Sequence, residues 1–410
     1  MLKKLSSNIL IYGLTNGIKS LVPFLMLPIL TMYLSINDYG ILSIIEITIL
    51  FLVPIISLNI SGAINVEYFQ IERSQLNQYI TNAFMLSLFA FILMFTFFII
   101  FNNAISSVLN IDNTLVLWLP IFALFRVSTQ VLLGIYQVSQ QPKKFALFTI
   151  LQTVFDFALS YVLVINFQYG YIGRLEGVYI AFFIFSLTAL YLLFKMGFLS
   201  GPTMNYSKGI LKFGLPLIPH AISGIVMAMS DRYFISHYIG NEDVGLYTVA
   251  YQLSALMLLV SISVNQAWTP ILYSLLKSKD KMQQIIVYTL GLALFFIIVG
   301  SLIYFLKNIL FNLLVDHKFH QAKEFFSWLL LGFVFQSLYF LVTNFLFFEK
   351  KTALLAKITI SGAILNIILN YFLIQEFGTI GVAYATAITW IIYCIAVVLT
   401  NILHYNRKEE

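Results

Sequence analysis

Long apolar segments recur along the whole chain, and short polar segments separate them. A helix that crosses a bilayer needs about 20 consecutive apolar residues, and the segments reach that length without the alternation of polar and apolar positions that marks a membrane barrel strand. The pattern predicts an all-α integral membrane protein with twelve transmembrane helices, over residues 8–35, 41–65, 80–101, 115–138, 145–167, 176–198, 211–238, 245–274, 284–306, 323–347, 354–375 and 380–403.

The connections between these helices are short, and the longest predicted ones are Asn102–Thr114 and Lys307–Ala322. Neither is long enough to form a soluble domain. Of the 410 residues, 60% are hydrophobic and 10% are charged, and the mean hydropathy of +0.92 excludes an ordinary soluble protein. The activity is therefore expected within the membrane itself.

Lysine and arginine are unevenly distributed between the two sets of connections. One side carries fifteen of them and the other four, and the side rich in basic residues is normally cytoplasmic. The four on the poorer side are Arg174, Lys307, Lys318 and Lys323. Both termini are therefore predicted to lie in the cytoplasm, which agrees with an even number of helices.

The two halves of the chain resemble each other. Ile9–Leu14 in the first predicted helix matches Ile210–Leu215 in the seventh, at an offset of 201 residues. Three further matches follow in order at offsets of 204–207: Asn37–Gly40 with Glu242–Gly245, Lys143–Leu147 with Lys350–Leu354, and Gly177–Val178 with Gly381–Val382. Six helices separate the copies, which predicts a parallel repeat of two six-helix bundles, residues 1–200 and 201–410, around a central cavity.

The first predicted helix carries a lysine and two prolines, which are unusual within a membrane span. Lys19 lies near its middle, and a lysine there costs roughly 2.5–3.5 kcal/mol on insertion scales, so it usually faces a protein interior or a watery cavity. Pro23 and Pro28 each remove a helical hydrogen bond and bend the helix. Lys19 is thus a candidate cation in a cavity.

The seventh helix has a titratable group at the matching position. At the offset of 201 residues Lys19 corresponds to His220, which also follows a pair of prolines, Pro216 and Pro219. Asp231 shares a helical face with His220, about 16 Å further along the axis. Arg232 projects from the helix about 100° away from Asp231. Three interpretations of Arg232 are open: a role in the cavity, extension to the membrane surface, or a local pair with Asp231.

Other charged residues lie within predicted helices. Arg126 is a second candidate for binding an anion because its guanidinium matches phosphate geometry, and Glu46 and Asp156 supply carboxylates. We assign substrate binding to Lys19, Arg126, His220 and Arg232, and ion coupling to Glu46, Asp156 and Asp231. The alternative for Lys19 is a structural ion pair with Glu46 or Asp156. Two interpretations are open for a set of asparagines within the helices: they hydrogen-bond a sugar, or they hydrogen-bond across helices. These are Asn59, Asn65, Asn366 and Asn370.

No motif of an enzyme is evident in the sequence. It has no phosphate-binding glycine loop, so the expected source of energy is an ion gradient of protons or Na⁺, or the substrate's own gradient, and no cofactor is expected. The single cysteine, Cys394, excludes an intrachain disulfide. Asp316, His317, Lys318 and His320 form the one candidate metal group, but an outer connection offers no enclosing pocket, and no metal site is predicted.

Several motifs resemble the polysaccharide exporter branch of the multidrug/oligosaccharidyl-lipid/polysaccharide superfamily, and especially its Wzx-type O-antigen flippases. The first is Ile11–Leu14 followed by Pro28–Thr31, and the second is Asn37–Gly40. The third combines Phe213–Pro219, Ser230–Ile235 and Gly245–Tyr247, which together resemble the family's aspartate-arginine and glycine-leucine-tyrosine motifs. The resemblance covers essentially the whole chain.

This resemblance implies a flippase that moves undecaprenyl-pyrophosphate-linked oligosaccharide repeat units from the cytoplasmic to the periplasmic leaflet of a bacterial inner membrane by alternating access. Lys19 and Arg126 would then bind the pyrophosphate. Implied partners are the lipid-linked glycan, membrane lipids, a polysaccharide polymerase and a chain-length regulator, with no nucleic acid. The alternatives are a multidrug or small-solute cation antiporter of the same superfamily, and a membrane enzyme such as an O-antigen polymerase.

Overall fold

The computed structural model describes residues 2–201, 203–277, 281–349 and 351–409, and for some of these, His220 among them, it describes the backbone alone. The described residues are almost entirely helical and contain no strand. Helices are the expected solution here because they satisfy every backbone hydrogen bond within one segment, which lipid demands. Ten helical segments of the described chain are long and apolar enough to cross a membrane, and α1 adds a shorter apolar part, Gly17–Tyr33.

The chain divides into two compact units, Met1–Met229 and Ser230–Glu410, here called the N-terminal unit and the C-terminal unit. Helix α9 crosses this division. The helices of the N-terminal unit, ending with α9, are α1 (Leu2–Tyr33), α2 (Ile36–Ser57), α3 (Ile60–Glu67), α4 (Arg73–Ile100), α5 (Asn102–Leu109), α6 (Asn113–Val138), α7 (Pro142–Tyr161), which continues as a π-helical turn (Val162–Asn166), α8 (Gly170–Lys195) and α9 (Ser207–Tyr238).

The remaining helices belong to the C-terminal unit. In chain order they are α10 (Asn241–Ser254), α11 (Leu256–Leu276), α12 (Met282–Phe305), α13 (Lys307–Leu314), a 3₁₀ turn (His317–Ala322), α14 (Lys323–Phe348), α15 (Thr352–Phe377) and α16 (Thr379–Glu409). Helix α14 packs against α10, α11, α12 and α16, and α15 packs against α16.

Each of the twelve predicted spans coincides with a helical region, but two of these regions are interrupted. The predicted span 41–65 is broken between α2 and α3, where Leu58 and Asn59 adopt left-handed backbone conformations with φ of 49° and 50°. The hydroxyl of Ser57 accepts a hydrogen bond from the amide of Asn59 at 3.2 Å, a local bond that competes with helix continuation. The predicted span 245–274 is likewise divided at Ala255.

The polar segment Asn37–Gly40 lies between the predicted spans 8–35 and 41–65 but is helical, so the prediction that it is a connection was wrong. Ser35 and Asp38 form a capping box, in which the Ser35 hydroxyl accepts from the Asp38 amide at 3.0 Å and the Asp38 carboxylate accepts from the Ser35 amide at 3.4 Å. This reciprocal pairing satisfies two amides at the start of α2. The turn between α1 and α2 is therefore shorter than predicted.

Small residues bring α7 and α8 close together in the N-terminal unit, and α15 and α16 in the C-terminal unit. A Cβ atom at Gly177 would lie 2.8 Å from the backbone of Ser160, and one at Gly381 would lie 2.6 Å from the carbonyl carbon of Leu373. Contacts that short are not tolerated, so both positions require glycine. Gly177 and Gly381 are the matched glycines of the sequence repeat, and each serves the same purpose within its own unit.

Candidate functional site

Lys19 lies on the packed face of α1 and yet is exposed. Met26 and Leu30 are two and three turns further along the same face, and both are buried against neighbouring helices. The side chain of Lys19 therefore extends from the side of α1 that packs within the N-terminal unit further along the helix, and it is accessible to solvent. Its electrostatic interaction with Arg126 of α6 agrees with this direction.

Glu46 of α2 is likewise an exposed charged residue on a packed helix face. Tyr39 and Val53 lie two turns before and after it on one helical face, and both are buried, whereas Glu46 is exposed. An exposed carboxylate between buried neighbours marks a local opening in the packing. Glu46 interacts electrostatically with Arg126, so the opening at Glu46 lies on the side that Arg126 faces.

Arg126 links the charged groups of the N-terminal unit. It is partly buried, and its guanidinium carbon lies 4.8 Å from the ring centre of Phe182 on α8, a cation–π contact. It also interacts electrostatically with Tyr179 of the same helix. The Tyr179 hydroxyl is buried and has no hydrogen-bond partner among the described residues, so it is available to a ligand beside Arg126.

Asp156 is held in an ion pair with Arg174. The Nη1 atom of Arg174 lies 2.6 Å from Oδ1 of Asp156, and the two side chains are 12% and 17% exposed. Ser160 bridges them, since it accepts from Arg174 at 2.6 Å and donates to Asp156 at 3.2 Å. The alternative that Lys19 pairs with Asp156 was therefore wrong, because Arg174 takes that position.

Sequence analysis placed Arg174 in an outer connection and so missed its role. In the structure α8 begins at Gly170, six residues before the predicted span, and Arg174 lies in its second turn. Arg174 is evident in the sequence as a basic residue beside an apolar segment, but the sequence pattern did not predict that α8 begins before it. The N-terminal unit thus contains a charged cluster of three cations and two carboxylates, namely Lys19, Arg126, Arg174, Glu46 and Asp156.

Asp231 lies in a buried polar network of the C-terminal unit. Asp231 is only 1% exposed. Its Oδ2 accepts from the Tyr247 hydroxyl at 2.5 Å and from the Thr386 hydroxyl at 2.8 Å, and its Oδ1 accepts from the Asn370 amide at 2.9 Å. Four helices, α9, α10, α15 and α16, therefore meet at one carboxylate.

The network continues along α15. Asn370 also donates to Asn366 at 3.1 Å, and Asn366 accepts from Ser230 at 3.2 Å and donates to Thr389 at 3.4 Å. Both asparagines are buried and bond across helices, as the second interpretation of them proposed. In the N-terminal unit, by contrast, the amide nitrogen of Asn59 and the amide oxygen of Asn65 have no partner among the described residues.

Arg232 is 3% exposed, so the alternative that it extends to the membrane surface was wrong. Its guanidinium carbon lies 3.9 Å from the ring centre of Tyr251 and 5.3 Å from that of Tyr247. Two aromatic faces therefore compensate much of the cost of burying this cation. Asp231 accepts hydrogen bonds from α10, α15 and α16, and because Asp231 is buried, the interpretation of Asp231 and Arg232 as an interfacial pair was wrong.

Tyr247 was recognised only as part of the glycine-leucine-tyrosine motif, and its hydrogen bond to Asp231 was not predicted. It donates to Asp231, and its ring lies beside Arg232, so the aspartate-arginine and glycine-leucine-tyrosine motifs form one physical unit. The side chain of His220 lies outside the described residues, and its proposed equivalence with Lys19 stays a prediction. No group of three or more metal-ligating side chains is present among the described residues.

Comparisons with known proteins agree with this fold. The chain is 23% identical over 381 residues to Lsg locus putative protein 1 of Haemophilus influenzae, covering 89% of this chain and 90% of that one. It is 24% identical over 198 residues to the probable low-salt glycan biosynthesis flippase Agl15 of Haloferax volcanii, which covers 47% of this chain and 41% of that protein.

Solved structures show the same fold at low sequence identity. The lipid II flippase MurJ in an inward closed conformation has a TM-score of 0.79 at 15% identity, covering 96% of this chain and 87% of that one. An inward-facing multidrug resistance MATE family transporter has a TM-score of 0.72 at 15% identity, covering 95% and 98%. These likenesses establish the fold alone.

Two families match parts of the sequence. The MatE family matches residues 216–372, and the family described as polysaccharide biosynthesis protein matches residues 5–276. The latter match spans more than half of the sequence and includes most of the residues of the charged cluster and of the aspartate-arginine motif. The chain belongs to the polysaccharide biosynthesis protein family.

Proposed function

We propose that this protein is a flippase for lipid-linked oligosaccharides, which moves undecaprenyl-pyrophosphate-linked repeat units across a bacterial inner membrane by alternating access. The observation that carries this proposal is the pair of cations Lys19 and Arg126, which interact electrostatically within the N-terminal unit, with Lys19 accessible to solvent. Family membership and the glycan flippase among the relatives support the class of substrate.

The charges of the cluster suit a pyrophosphate. Arg174 neutralises Asp156, so Lys19 and Arg126 face the single carboxylate of Glu46 and leave an excess of one positive charge. Lys19 and Arg126 also repel each other, and an anion between them removes that repulsion. A lysine ammonium and an arginine fork form charge-assisted hydrogen bonds to phosphate oxygens, which are stronger than bonds between neutral groups.

Ion coupling is proposed at Asp231 rather than at Asp156. A buried carboxylate is costly unless it is compensated, and a proton or a Na⁺ ion at Asp231 would neutralise it beside the hydroxyl oxygens of Tyr247 and Thr386. Asp156 already has a permanent counterion in Arg174. Glu46 is exposed and serves in this proposal to balance the cations when no substrate is bound.

Complementation tests the proposal. The chain is expressed in a bacterium that lacks its own O-antigen flippase but keeps its assembly genes, and surface polysaccharide is measured at matched membrane expression. We expect Lys19→Ala and Arg126→Ala to lower polysaccharide by at least about tenfold, since each removes a charge-assisted contact. Lys19→Arg is expected to retain partial activity.

Lys144→Ala is the matched control, because Lys144 is an exposed lysine in the first turn of α7 outside the charged cluster. It should support the wild-type level of polysaccharide. If the wild-type chain accumulates in the membranes of hosts with several different repeat units and restores polysaccharide in none, the proposed substrate class is wrong.

A second candidate function is export of small cationic solutes, which the match to the MatE family over residues 216–372 favours. A cation exporter would use carboxylates rather than lysine and arginine at its binding site, so Glu46 and Asp231 would be its central groups. Expression in a drug-sensitive host separates the two functions. The exporter raises resistance to cationic dyes, and Glu46→Gln abolishes the effect, whereas the flippase leaves resistance unchanged.

A further inference from the structure

An apolar groove of about 600 Å³ runs between α12 and α14 in the C-terminal unit. This volume falls within the range of about 300–1,000 Å³ that binding pockets of small molecules occupy. The lining is apolar apart from Ser301, Ser327 and the Tyr304 hydroxyl, and its apolar members include Ile297, Phe305, Trp328, Leu331, Val334 and Leu338. A groove of this composition on a membrane protein suits a hydrocarbon chain.

One end of the groove is polar and cationic. The Nζ atom of Lys307, the first residue of α13, lies 3.5 Å from the hydroxyl oxygen of Ser327 and 5.4 Å from the ring centre of Tyr304. Both of these residues line the groove. Among the described residues no carboxylate forms an ion pair with Lys307, so its positive charge is available to an anion beside two hydroxyl groups.

We propose that this groove binds an anionic phospholipid, with one acyl chain along α12 and α14 and its phosphodiester on Lys307, Ser327 and Tyr304. The single cation matches the single negative charge of a phosphodiester, whereas a pyrophosphate would call for a second cation, as Lys19 and Arg126 provide together in the proposed substrate site. Lys307 is on the side that the loop charges predict to be periplasmic, so the lipid would come from that leaflet. This site is separate from the proposed substrate site.

A groove in the N-terminal unit provides the contrast. It measures about 460 Å³ and is lined by α4, α6, α8 and Leu199–Ser200. Beside Leu199–Ser200, Arg73 donates to the carbonyl of Met196 at 2.7 Å and stacks on the ring of Phe198 at 3.2 Å. That guanidinium is therefore committed to the protein, and we expect this groove to bind hydrocarbon without headgroup selectivity.

Native mass spectrometry of the full chain in detergent, titrated with phosphatidylglycerol, tests the proposal. We expect one tightly bound lipid per chain. Lys307→Ala should weaken binding about fivefold, as expected for one lysine at a membrane surface, and Ser301→Trp, which fills the groove, should weaken it more. Diacylglycerol, which lacks the phosphate, should bind weakly, and Lys307→Ala should not change its binding.

The matched controls are Lys318→Ala, an exposed lysine in the same connection, and Leu187→Trp in the groove of the N-terminal unit. Both should retain the one tightly bound phosphatidylglycerol of the wild type. If Ser301→Trp does not fold, Ser327→Ala with Lys307→Ala provides the same test. Equal binding by wild type and Lys307→Ala would overturn the proposal, and so would displacement of phosphatidylglycerol by an equimolar polyprenyl diphosphate, which would assign the groove to the substrate lipid.

Discussion

The two units use intramembrane charge in opposite ways. In the N-terminal unit Lys19 and Glu46 are exposed on packed helix faces, and none of the hydrogen bonds described for the unit ties either side chain to a protein partner. In the C-terminal unit Asp231 and Arg232 are almost fully buried and are surrounded by hydroxyl, amide and aromatic groups. A charge that is left in water is suited to a ligand, and a charge that is enclosed by the protein contributes to the fold.

The largest expected effect contrasts two acidic residues. Asp231→Ala leaves the Tyr247, Thr386 and Asn370 donors without their acceptor, and should destabilise the protein by about 3 kcal/mol. Glu46→Ala removes an exposed side chain and should change stability by less than about 0.5 kcal/mol. Unfolding of the purified variants in detergent measures both. Asp231→Asn should fall between them, and wild-type stability in Asp231→Ala would contradict the network.

A second contrast concerns two arginines. Arg232→Ala removes a buried guanidinium from the face of Tyr251 and should cost about 2 kcal/mol of stability. Arg126→Ala should cost less than about 1 kcal/mol but should lose transport in the complementation assay. Measuring unfolding and surface polysaccharide on the same two variants separates the roles. If Arg126→Ala is less stable than Arg232→Ala, the proposed difference between the two units is contradicted.

The Asp156–Arg174 pair is the exception within the N-terminal unit, and a double-mutant cycle measures it. Because the two side chains are only 17% and 12% exposed, Arg174→Ala should destabilise by about 1–2 kcal/mol, and Asp156→Ala in the same chain should recover part of that loss. The expected coupling is about 1 kcal/mol. Additive single effects would show that the pair does not contribute and would return Asp156 to the candidates for ion coupling.

The smallest expected effect is a pH dependence at the start of α6. Hydrogen bonds from the hydroxyl and the amide of Thr114 hold the pKa of Asp112 below its usual range. A lowered pKa in the folded state stabilises the protein above the pKa of the unfolded chain, about 3.9, and that stabilisation is lost as pH falls through the folded value. Asp112→Asn should remove this dependence between pH 5 and about pH 2.

Unfolding midpoints across that pH range provide the measurement. Asn can still accept the Thr114 amide bond as a helix cap, so at neutral pH the variant should unfold close to the wild type. Glu242→Gln, an exposed carboxylate in the first turn of α10, is the control for general effects of charge. An unchanged pH profile in Asp112→Asn would show that Asp112 does not contribute.

The predicted helices agree with the structure because an apolar segment of about 20 residues has no other solution in lipid. Their ends were less predictable, since polar starts such as Ser35–Gly40 and Gly170–Leu175 continue the helix beyond the apolar residues. The break at Leu58–Asn59 has neither glycine nor proline, and it depends on the hydrogen bond between Ser57 and Asn59. Such a local competition is not visible in hydropathy.

The candidate residues were predicted more reliably than their partners. Lys19, Glu46 and Arg126 were evident as charges in apolar segments, and the structure brings them into one electrostatic cluster. That Asp156 binds Arg174, and that Asp231 binds Tyr247, depended on which helices are neighbours and on where α8 begins. A single sequence does not show which helices are neighbours or where α8 begins. The charge of each group was therefore predictable, but its hydrogen-bonding partner was not.

The ion pair between Asp156 and Arg174 also affects how the protein enters the membrane. Its two members are only 18 residues apart, within the hairpin that α7 and α8 form, and the packing of Gly177 on Ser160 belongs to the same hairpin. Closing so short a loop costs little entropy. This pair of helices can therefore insert during synthesis with Asp156 and Arg174 already neutralising each other, and neither of these two charges has to cross hydrocarbon alone while the later helices are still being made.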